Sequence, residues 1–174
     1  RPGDSLPQSA ALLNPVLKES GYPFPSLAGV GVVFKLLQAL LEKRGKSAQL
    51  EHYAKLVAIG TIADVADLRG ENRLLVKSGL KGLEKVSNRG LRSLLDQCGV
   101  LDRKVNEGDV GFRIAPRINA AGRMGAAGDA VRLFFSDNDD ESLRLARRLS
   151  ELNSQRQKAE DKIYSEALER VREG

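Results

Sequence analysis

The sequence predicts a mainly α-helical segment of about seven helices, with at most one or two short strands and a long helix at its C-terminal end. Apolar residues recur at helical spacing through most of the 174 residues. Only one short stretch is typical of a strand. The last fifth of the chain, from Asp139 up to Gly174, contains neither proline nor glycine before that final residue. These three observations together favour a helical segment.

The composition indicates a core of small and medium aliphatic side chains. Hydrophobic residues make up 41% of the chain, aromatic residues only 5%, and tryptophan is absent. The net charge of +5 and the sequence pI near 9.5 are a mild basic bias. Such a bias is compatible with a nucleic acid or another polyanion as partner, but ordinary basic domains of this size show it too.

The cysteine and histidine counts exclude several kinds of site. Cys98 is the single cysteine, so neither an internal disulfide nor a zinc site of several thiolates can form. We expect Cys98 to fill the core, because it follows Leu94 and Leu95 in an apolar pattern. His52 is the single histidine, which excludes a histidine pair on a metal. The sequence shows no membrane span and no signal peptide, so we expect a reducing, cytoplasmic location.

The N-terminal region predicts an extended segment followed by a buried helix. Residues 1–26 contain five of the six prolines, and Ala10–Leu13 is interpreted as a short strand or extended piece. Ser26 is a plausible N-cap for a helix that Gly45 ends. Gly29 and Gly31 in its first turn indicate close backbone packing. We expect deep burial, because its apolar residues occupy most faces: Val30, Val32, Val33, Phe34, Leu36, Leu37, Leu40 and Leu41.

Shorter helices are predicted through the middle of the chain. The sequence predicts them over residues 50–63, 74–83, 89–98 and 126–135, the third closed by Gly99. Another begins at Asn106 with Asp109 as its capping-box partner, and we expect it to end before Pro116. In the 126–135 helix, we expect Val131, Phe134 and Phe135 to be buried.

The C-terminal helix is predicted to begin at Asp139 and to be long. It carries a narrow apolar stripe on an otherwise charged surface: Leu145, Leu149, Leu152, Arg156, Ala159, Ile163 and Ala167. At the rise of an α-helix it reaches about 50 Å. So long and polar a helix more often connects two domains than packs fully on one.

The segment Gly111–Gly125, GFRIAPRINAAGRMG, is the strongest candidate for anion binding. It contains Arg113, Arg117, Asn119 and Arg123, with no carboxylate between Asp109 and Asp129. Planar guanidinium groups suit phosphate, which accepts bidentate hydrogen bonds. The small residues between them would allow a ligand close to the backbone. A basic surface loop between two helices is the alternative, and the residues alone do not decide between the two.

Asp64 is the candidate metal ligand. It interrupts the apolar run of LVAIGTIADV, where a carboxylate is costly unless it is paired or holds a cation. A hard divalent metal would offset that cost. The alternatives are a partly exposed aspartate that caps the next segment, or a partner for Arg69 or Arg73. Asp67, further into the turn, is expected at the surface or behind the metal ligands.

Six motifs in order resemble the RecJ group of DHH phosphoesterases. They are LPQSAALLNP at 6–15, SLAGVGVVFKLLQAL at 26–40, GTIADV at 60–65, ENRLLVKSGL at 71–80, FRIAPRINAAGRMG at 112–125 and ELNSQRQ at 151–157. The resemblance covers nearly the whole chain. It implies an α/β parent whose parallel sheet carries an Asp-His-His motif, with this chain beginning just after that motif. Residues 1–137 would be the helical half of the catalytic domain, and residues 138–174 a connector to a second domain.

The resemblance also implies an activity and its residues. Members of the group are 5′→3′ exonucleases of single-stranded DNA that use two Mn²⁺ or Mg²⁺ ions, and they act in DNA repair and recombination. Asp64 matches a catalytic metal ligand, and Arg117, Asn119 and Arg123 match positions near the substrate phosphates, with Arg113 a weaker match. A helicase or single-strand-binding protein is the implied protein partner, no membrane is involved, and a monomer is expected. His52 matches no part of the Asp-His-His motif.

Three other functions remain open at this point. An oligoribonuclease or cyclic-dinucleotide phosphodiesterase of the same superfamily would share the Asp64 chemistry, although those enzymes generally lack the PRINAAGR stretch. A non-catalytic nucleic-acid-binding or scaffold relative would have lost the metal site. An unrelated helical adaptor would match by accident. We expect the isolated chain to be inactive, because it contains one of several metal ligands.

Overall fold

The computed structural model describes residues 7–173, which form helices and loops without a β-strand. Pro2 and Leu6 of the N-terminal motifs lie outside the described residues. Seven helices of nine or more residues follow in order: α1 Gly29–Lys43, α2 Glu51–Ala63, α3 Gly70–Gly82, α4 Arg89–Gln97, α5 Ala115–Arg123, α6 Ala127–Phe135 and α7 Asp139–Glu173. The predicted mainly α fold is therefore confirmed, and Ala10–Leu13 does not form a strand.

The chain divides into two compact units. Unit 1 comprises the residues up to Lys85 together with Lys104–Val110, and it contains α1, α2 and α3. Unit 2 comprises Val86–Arg103 and the residues from Gly111 onward, and it contains α4 to α7. Asp64 thus belongs to unit 1, whereas the arginine segment belongs to unit 2.

Unit 1 is built on α2, which packs against α1 on one side and α3 on the other. Phe34, Ala54 and Val57 form its buried cluster. The contact with α3 depends on Gly79, because a Cβ atom there would lie 2.2 Å from the Ala54 carbonyl oxygen. The two helix backbones therefore approach closely at this point, which only glycine permits.

The prediction that α1 is deeply buried is wrong for one of its faces. Phe34 and Leu41 face the core, but Val33, Leu36 and Leu40 are 65%, 47% and 48% exposed. These three positions follow at three- and four-residue spacing, so they form one apolar stripe on the side away from α2. The helix also begins at Gly29 rather than after Ser26. Its breadth of apolar surface indicated burial on all sides, but within the described residues only one side is covered.

Unit 2 is built on the first half of α7. Helices α4, α5 and α6 all pack against it. Leu145, Leu149 and Leu152 of α7 are at most 2% exposed, which confirms the start of the predicted stripe. The later positions of the stripe are not buried. Every described residue from Gln157 onward is exposed, and Ile163 is 66% exposed. The long C-terminal helix itself is confirmed, with 35 residues.

Two local predictions in unit 2 are wrong. Val131 and Phe135 of α6 are 57% and 83% exposed, because they lie one turn apart on the face opposite Ala130 and Leu133. Helical structure also continues past Pro116 instead of ending before it. A π-helical turn, Val110–Ile114, precedes α5, and Pro116 occupies the first turn of α5. Proline lacks a backbone N–H, and Pro116 lies where the irregular hydrogen bonding of the π-helical turn passes into α5.

We predict that Gly90→Ala destabilises unit 2, because a Cβ atom at residue 90 would lie 1.6 Å from the Leu133 carbonyl oxygen. Relieving that overlap requires α4 and α6 to move apart, at a cost of about 3 kcal/mol. Gly128→Ala is the matched control, since residue 128 is also the second residue of its helix and has no atom within 4 Å of the added Cβ. It should be neutral or stabilise by up to about 1 kcal/mol. Urea unfolding followed by circular dichroism measures both changes, and equal midpoints for the two variants would contradict this packing.

Candidate functional site

The turn that carries Asp64 ends α2 with a strained residue. We name Asp64–Arg69 the aspartate turn. Asp64 is the C-cap of α2, and Val65 has φ 53°, in the left-handed region. The amide of Val65 donates to the Ile62 carbonyl (3.0 Å) and that of Ala66 donates to the Thr61 carbonyl (3.2 Å). This is the Schellman pattern, in which glycine usually occupies the left-handed position. A β-branched residue there is a local strain of the kind that clusters at functional sites.

The Asp64 carboxylate is exposed and has no ion pair or hydrogen bond with any described residue. The structure therefore agrees with the alternative of an exposed, capping aspartate, although Asp64 caps the end of α2 and not the start of the next segment. The helix ends at Ala63, so Asp64 already lies on the turn and not in the apolar run that precedes it. The alternative pairing with Arg69 is also not found, since Arg69 lies 3.5 Å from Asp67 instead. The exposed Asp67 agrees with its predicted surface position.

Asn72 holds the aspartate turn against the start of α1. Its side-chain amide donates to the Ser26 carbonyl (2.8 Å) and to the Asp67 carbonyl (2.9 Å). Its Oδ1 accepts a hydrogen bond from the Ala28 amide (3.0 Å). The residue is fully buried, so these three bonds form away from water and are correspondingly strong. The backbone around Asp64 is thus anchored by a residue that sequence analysis did not single out, although it lies inside the ENRLLVKSGL motif.

Sequence analysis also did not predict a polar cluster beside Asn72. Glu71 accepts a hydrogen bond from the Tyr22 hydroxyl (2.6 Å), and its other oxygen lies 2.5 Å from Lys35 Nζ. The bond with Lys35, followed by that with Tyr22, holds the pKa of Glu71 below its usual value. The bond with Glu71 likewise raises the pKa of Lys35. This cluster ties α1, α3 and the proline-rich segment together in unit 1.

The described residues do not complete a metal site. No group of three His, Cys, Asp or Glu side chains among residues 7–173 is arranged to hold a metal ion. Asp64 can supply one carboxylate ligand. One turn earlier on α2, the buried Thr61 hydroxyl has no hydrogen-bond partner in the part of the chain that the structure describes. A buried hydroxyl without a partner is uncommon, whereas the exposed Asp64 carboxylate is open to solvent.

The arginine segment begins on a capped helical turn. Asn106 Oδ1 accepts from the Asp109 amide (2.9 Å) and Asp109 Oδ2 accepts from the Asn106 amide (3.2 Å), which confirms the predicted capping box. Arg113 lies in the π-helical turn, and Arg117, Asn119 and Arg123 lie on α5. Irregular π-helical turns are frequent at functional sites.

Arg117 is held in place by two hydrogen bonds within unit 2. Its Nε donates to the Ser150 hydroxyl on α7 (3.1 Å), and one terminal nitrogen donates to the Arg113 carbonyl (2.5 Å). These bonds use two of five guanidinium N–H groups and leave donors for a ligand. The half-buried side chain is therefore oriented in advance, which favours binding of an oxyanion over free movement in solvent.

The four candidate positions do not form one cluster. Asn119 and Arg123 are exposed and four residues apart, so they share a face of α5. Arg117 lies two residues before Asn119 and points to a different side of the helix, since residues at that spacing do not face one another. The predicted site thus divides into an inner position at Arg117 and an outer pair at Asn119 and Arg123.

The small residues of this segment serve packing more than ligand approach. Ala115, Ala120 and Ala121 are at most 2% exposed, and α5 lies directly against α6 and α7. Gly122 and Gly125 are exposed, and Gly125 has φ 72° at the end of α5. The alanines therefore let α5 sit close to α7, and this contact brings Arg117 within reach of Ser150.

Cys98 and His52 take no part in either candidate site. Cys98 is buried, as predicted, and its thiol lies 3.4 Å from the Arg113 carbonyl oxygen. Burial raises the pKa of this thiol, which makes it a poor nucleophile. His52 is exposed on α2, as expected. None of the helices in residues 7–173 has the length and apolar character needed to span a membrane.

Known proteins similar to this chain are single-strand-specific exonucleases. The chain is 42% identical over 170 residues to the RecJ exonuclease of Bacillus subtilis and 44% identical over 170 residues to that of Thermus thermophilus. These matches cover 98% and 96% of this chain but 21% and 24% of the relatives. No protein-family model matches.

Solved structures agree with the sequence comparisons. A crystal structure of exonuclease RecJ bound to manganese matches 98% of this chain at 41% identity and a TM-score of 0.81. The manganese complex of Thermus thermophilus RecJ matches 95% at 39% identity and a TM-score of 0.84. The match covers 42% of the first of those chains and 24% of the second.

Fold and sequence together define a helical segment that is similar, over nearly all its length, to part of the RecJ exonucleases. The chain belongs to the RecJ family. It spans between a fifth and a third of the length of the curated RecJ relatives from Bacillus subtilis, Thermus thermophilus and Escherichia coli.

We predict that Val65→Gly stabilises unit 1 by about 1 kcal/mol, because glycine adopts the left-handed conformation without the steric cost of a β-branched side chain. Little packing is lost, since Val65 is 90% exposed. Val33→Gly is the control: the valine is also exposed, at 65%, but it lies within α1, where glycine costs stability. Thermal unfolding separates the two variants. A lower midpoint for Val65→Gly would show that the aspartate turn is not strained.

Proposed function

We propose that this chain is part of a metal-dependent exonuclease that degrades single-stranded DNA from 5′ to 3′ and acts in DNA repair and recombination. The observation that carries the proposal is the exposed, unpaired carboxylate of Asp64 on a rigid turn, in a chain similar over nearly all its length to RecJ exonucleases. A carboxylate without a partner, held in place by its backbone, is suited to receive a cation.

Asp64 would hold a Mn²⁺ or Mg²⁺ ion together with ligands from outside the described residues. The described residues supply only part of a metal site, since residues 7–173 contain no cluster of three metal-ligating side chains. Two of the similar crystal structures contain Mn²⁺, and a third, also of Thermus thermophilus RecJ, contains Mg²⁺, which supports the choice of metal. When bound, such ions lower the pKa of coordinated water and neutralise charge on phosphate oxygens.

The arginine segment would bind the phosphates of the strand. Arg117, oriented by Ser150 and by the Arg113 carbonyl, presents its remaining N–H groups to a phosphate oxygen. Asn119 and Arg123 would hold a neighbouring phosphate from the outer face, and Arg113 has a lesser part. Contacts to phosphate carry no base information, so this site suits an enzyme that is indifferent to sequence.

The partners follow from the proposed substrate. Single-stranded DNA is the ligand, and a helicase or a single-strand-binding protein would supply or present it. We propose a cytoplasmic location, which a DNA substrate and a single reduced cysteine support. We also propose that the protein acts as a monomer.

We predict that the isolated 174-residue chain has no nuclease activity, because Asp64 is one of several ligands that the metals need. In the full-length protein, Asp64→Asn should lower Mn²⁺-dependent hydrolysis of a 5′-labelled single strand by about 100-fold or more. Asp67→Asn is the control, since Asp67 also lies on the aspartate turn but pairs with Arg69. Circular dichroism should show unchanged folding. Hydrolysis by the isolated chain that disappears with Asp64→Asn would overturn this prediction.

We predict that Arg117→Ala weakens binding of an oligodeoxythymidine strand and reduces the salt dependence of that binding. Loss of one phosphate contact on a single strand should lower the slope of log K against log salt by about 0.7. Fluorescence anisotropy between 50 and 300 mM NaCl, roughly the range in which such slopes are measured, gives the slope. Arg170→Ala is the control, because it removes the same charge from the exposed end of α7. An unchanged slope for Arg117→Ala would count against a phosphate contact.

A further inference from the structure

Charge is unevenly distributed along α7. The first turn of the helix is acidic, with Asp139, Asp140 and Glu141. The residues that follow, 142–159, contain five basic side chains and one acidic one: Arg144, Arg147, Arg148, Arg156 and Lys158 against Glu151. Residues 160–173 contain three basic and five acidic side chains. A helix whose charges serve solubility alone mixes both signs along its length. Arg144, Arg147 and Arg148 lie on the part of α7 that packs against α4, α5 and α6, whereas Lys158 lies beyond it on the exposed part of the helix.

A groove runs along residues 147–158 of α7. It has a volume of about 560 Å³ and is lined by Gln97 of α4 and by Arg147, Ser150, Glu151, Ser154, Gln155 and Lys158 of α7. The α7 residues follow at spacings of three and four, so they share one face of the helix. Hydroxyl and amide groups between two cations are the donors that bind a sugar–phosphate backbone without reading bases.

The positive charge of the groove is available to a ligand. Arg147 and Lys158 form no ion pair with any residue in the described range 7–173. Glu151 also borders the groove, but it lies 3.7 Å from Arg148, which offsets its charge. Arg147 and Lys158 are eleven residues apart, about 16 Å along the helix, or roughly five stacked nucleotides.

The groove borders the arginine segment at Ser150. Ser150, which lines the groove, accepts the hydrogen bond from Arg117 Nε at 3.1 Å. The phosphate position proposed at Arg117 and the groove are therefore neighbouring parts of one surface of unit 2. A strand whose phosphate lies at Arg117 can continue into the groove, where Glu151 is the carboxylate among the lining residues and is paired with Arg148.

The groove also accounts for the ELNSQRQ motif at 151–157. Asn153 is buried, and Arg156 is half-buried and donates to Asn153 Oδ1 (3.4 Å) and to Glu160. Ser154 and Gln155 instead line the groove. The motif thus has an inner half that fixes the helix and an outer half that provides polar donors, which a purely structural connector would not need.

We propose that this α7 groove binds the backbone of single-stranded DNA beyond the phosphate held at Arg117, with Arg147 and Lys158 each contacting a phosphate. The inference rests on the proposed function, since it extends the same DNA-binding surface. It assigns α7 a direct part in substrate binding, so the helix is more than a spacer between domains.

Binding of strands of two lengths to the 174-residue chain tests this proposal. The variant Arg147→Ala/Lys158→Ala is compared with Arg170→Ala/Arg172→Ala, which removes the same charge from the exposed end of the same helix. All four side chains are exposed, so both variants should fold. For a 5′-phosphorylated 12-mer of deoxythymidine, the groove variant should bind about 10- to 30-fold more weakly, with a salt slope lower by about 1.4. The control variant should bind as the parent chain does.

A 5′-phosphorylated trimer separates the groove from the Arg117 position. The groove variant should leave trimer binding unchanged, whereas Arg117→Ala should weaken both lengths. Unchanged 12-mer binding by the groove variant would overturn the proposal. So would a loss of trimer binding as large as the loss of 12-mer binding. Displacement of the 12-mer by a polyglutamate peptide as readily as by unlabelled DNA would overturn it too. If Arg117→Ala has no effect on binding while the groove variant weakens 12-mer binding, the DNA-binding role of the groove is supported and the proposed phosphate contact at Arg117 is wrong.

Discussion

The packing of short side chains against the first half of α7 is the constraint on which unit 2 depends. Leu145, Leu149 and Leu152 form the buried stripe, and the alanines of α5 allow close approach to it. Because α5 lies so close, Arg117 reaches Ser150 and is held in one orientation. A bulkier side chain in place of these alanines would separate the helices and release the guanidinium. Core packing and the proposed phosphate contact therefore rest on the same interface.

Unit 1 depends in the same way on one close contact and one buried polar residue. Gly79 allows α3 to approach the backbone of α2, and Asn72, at the start of α3, then reaches the carbonyl of Asp67. That bond fixes the turn on which Asp64 stands. The strain at Val65 is tolerated because hydrogen bonds on both sides of the turn determine its backbone. A fixed carboxylate binds a metal with less loss of conformational freedom than a mobile one.

Much of the helical framework could be predicted from local sequence, and several contacts between helices could not. The capping box at Asn106 and the long proline-free run after Asp139 are local patterns, and both are confirmed. Val131 and Phe135 were expected in the core because they are large and apolar, yet helix orientation places them outward. The continuation of helical structure through Pro116 depends on a π-helical turn that no residue pattern indicated. For the candidate site, residue identities were predicted, but the division between Arg117 and the Asn119–Arg123 pair follows only from their placement on α5.

The sequence by itself determined the helical class, the chemical character of the arginine segment and the family, because periodicity and long ordered motifs are properties of the chain. The tertiary structure decided which faces are buried, that Asp64 is exposed and unpaired, and that Ser150 and Asn72 orient the groups near the proposed chemistry. It also revealed the groove along α7. These features depend on residues far apart in the chain, and the packing angles that bring them together are not encoded in any local pattern.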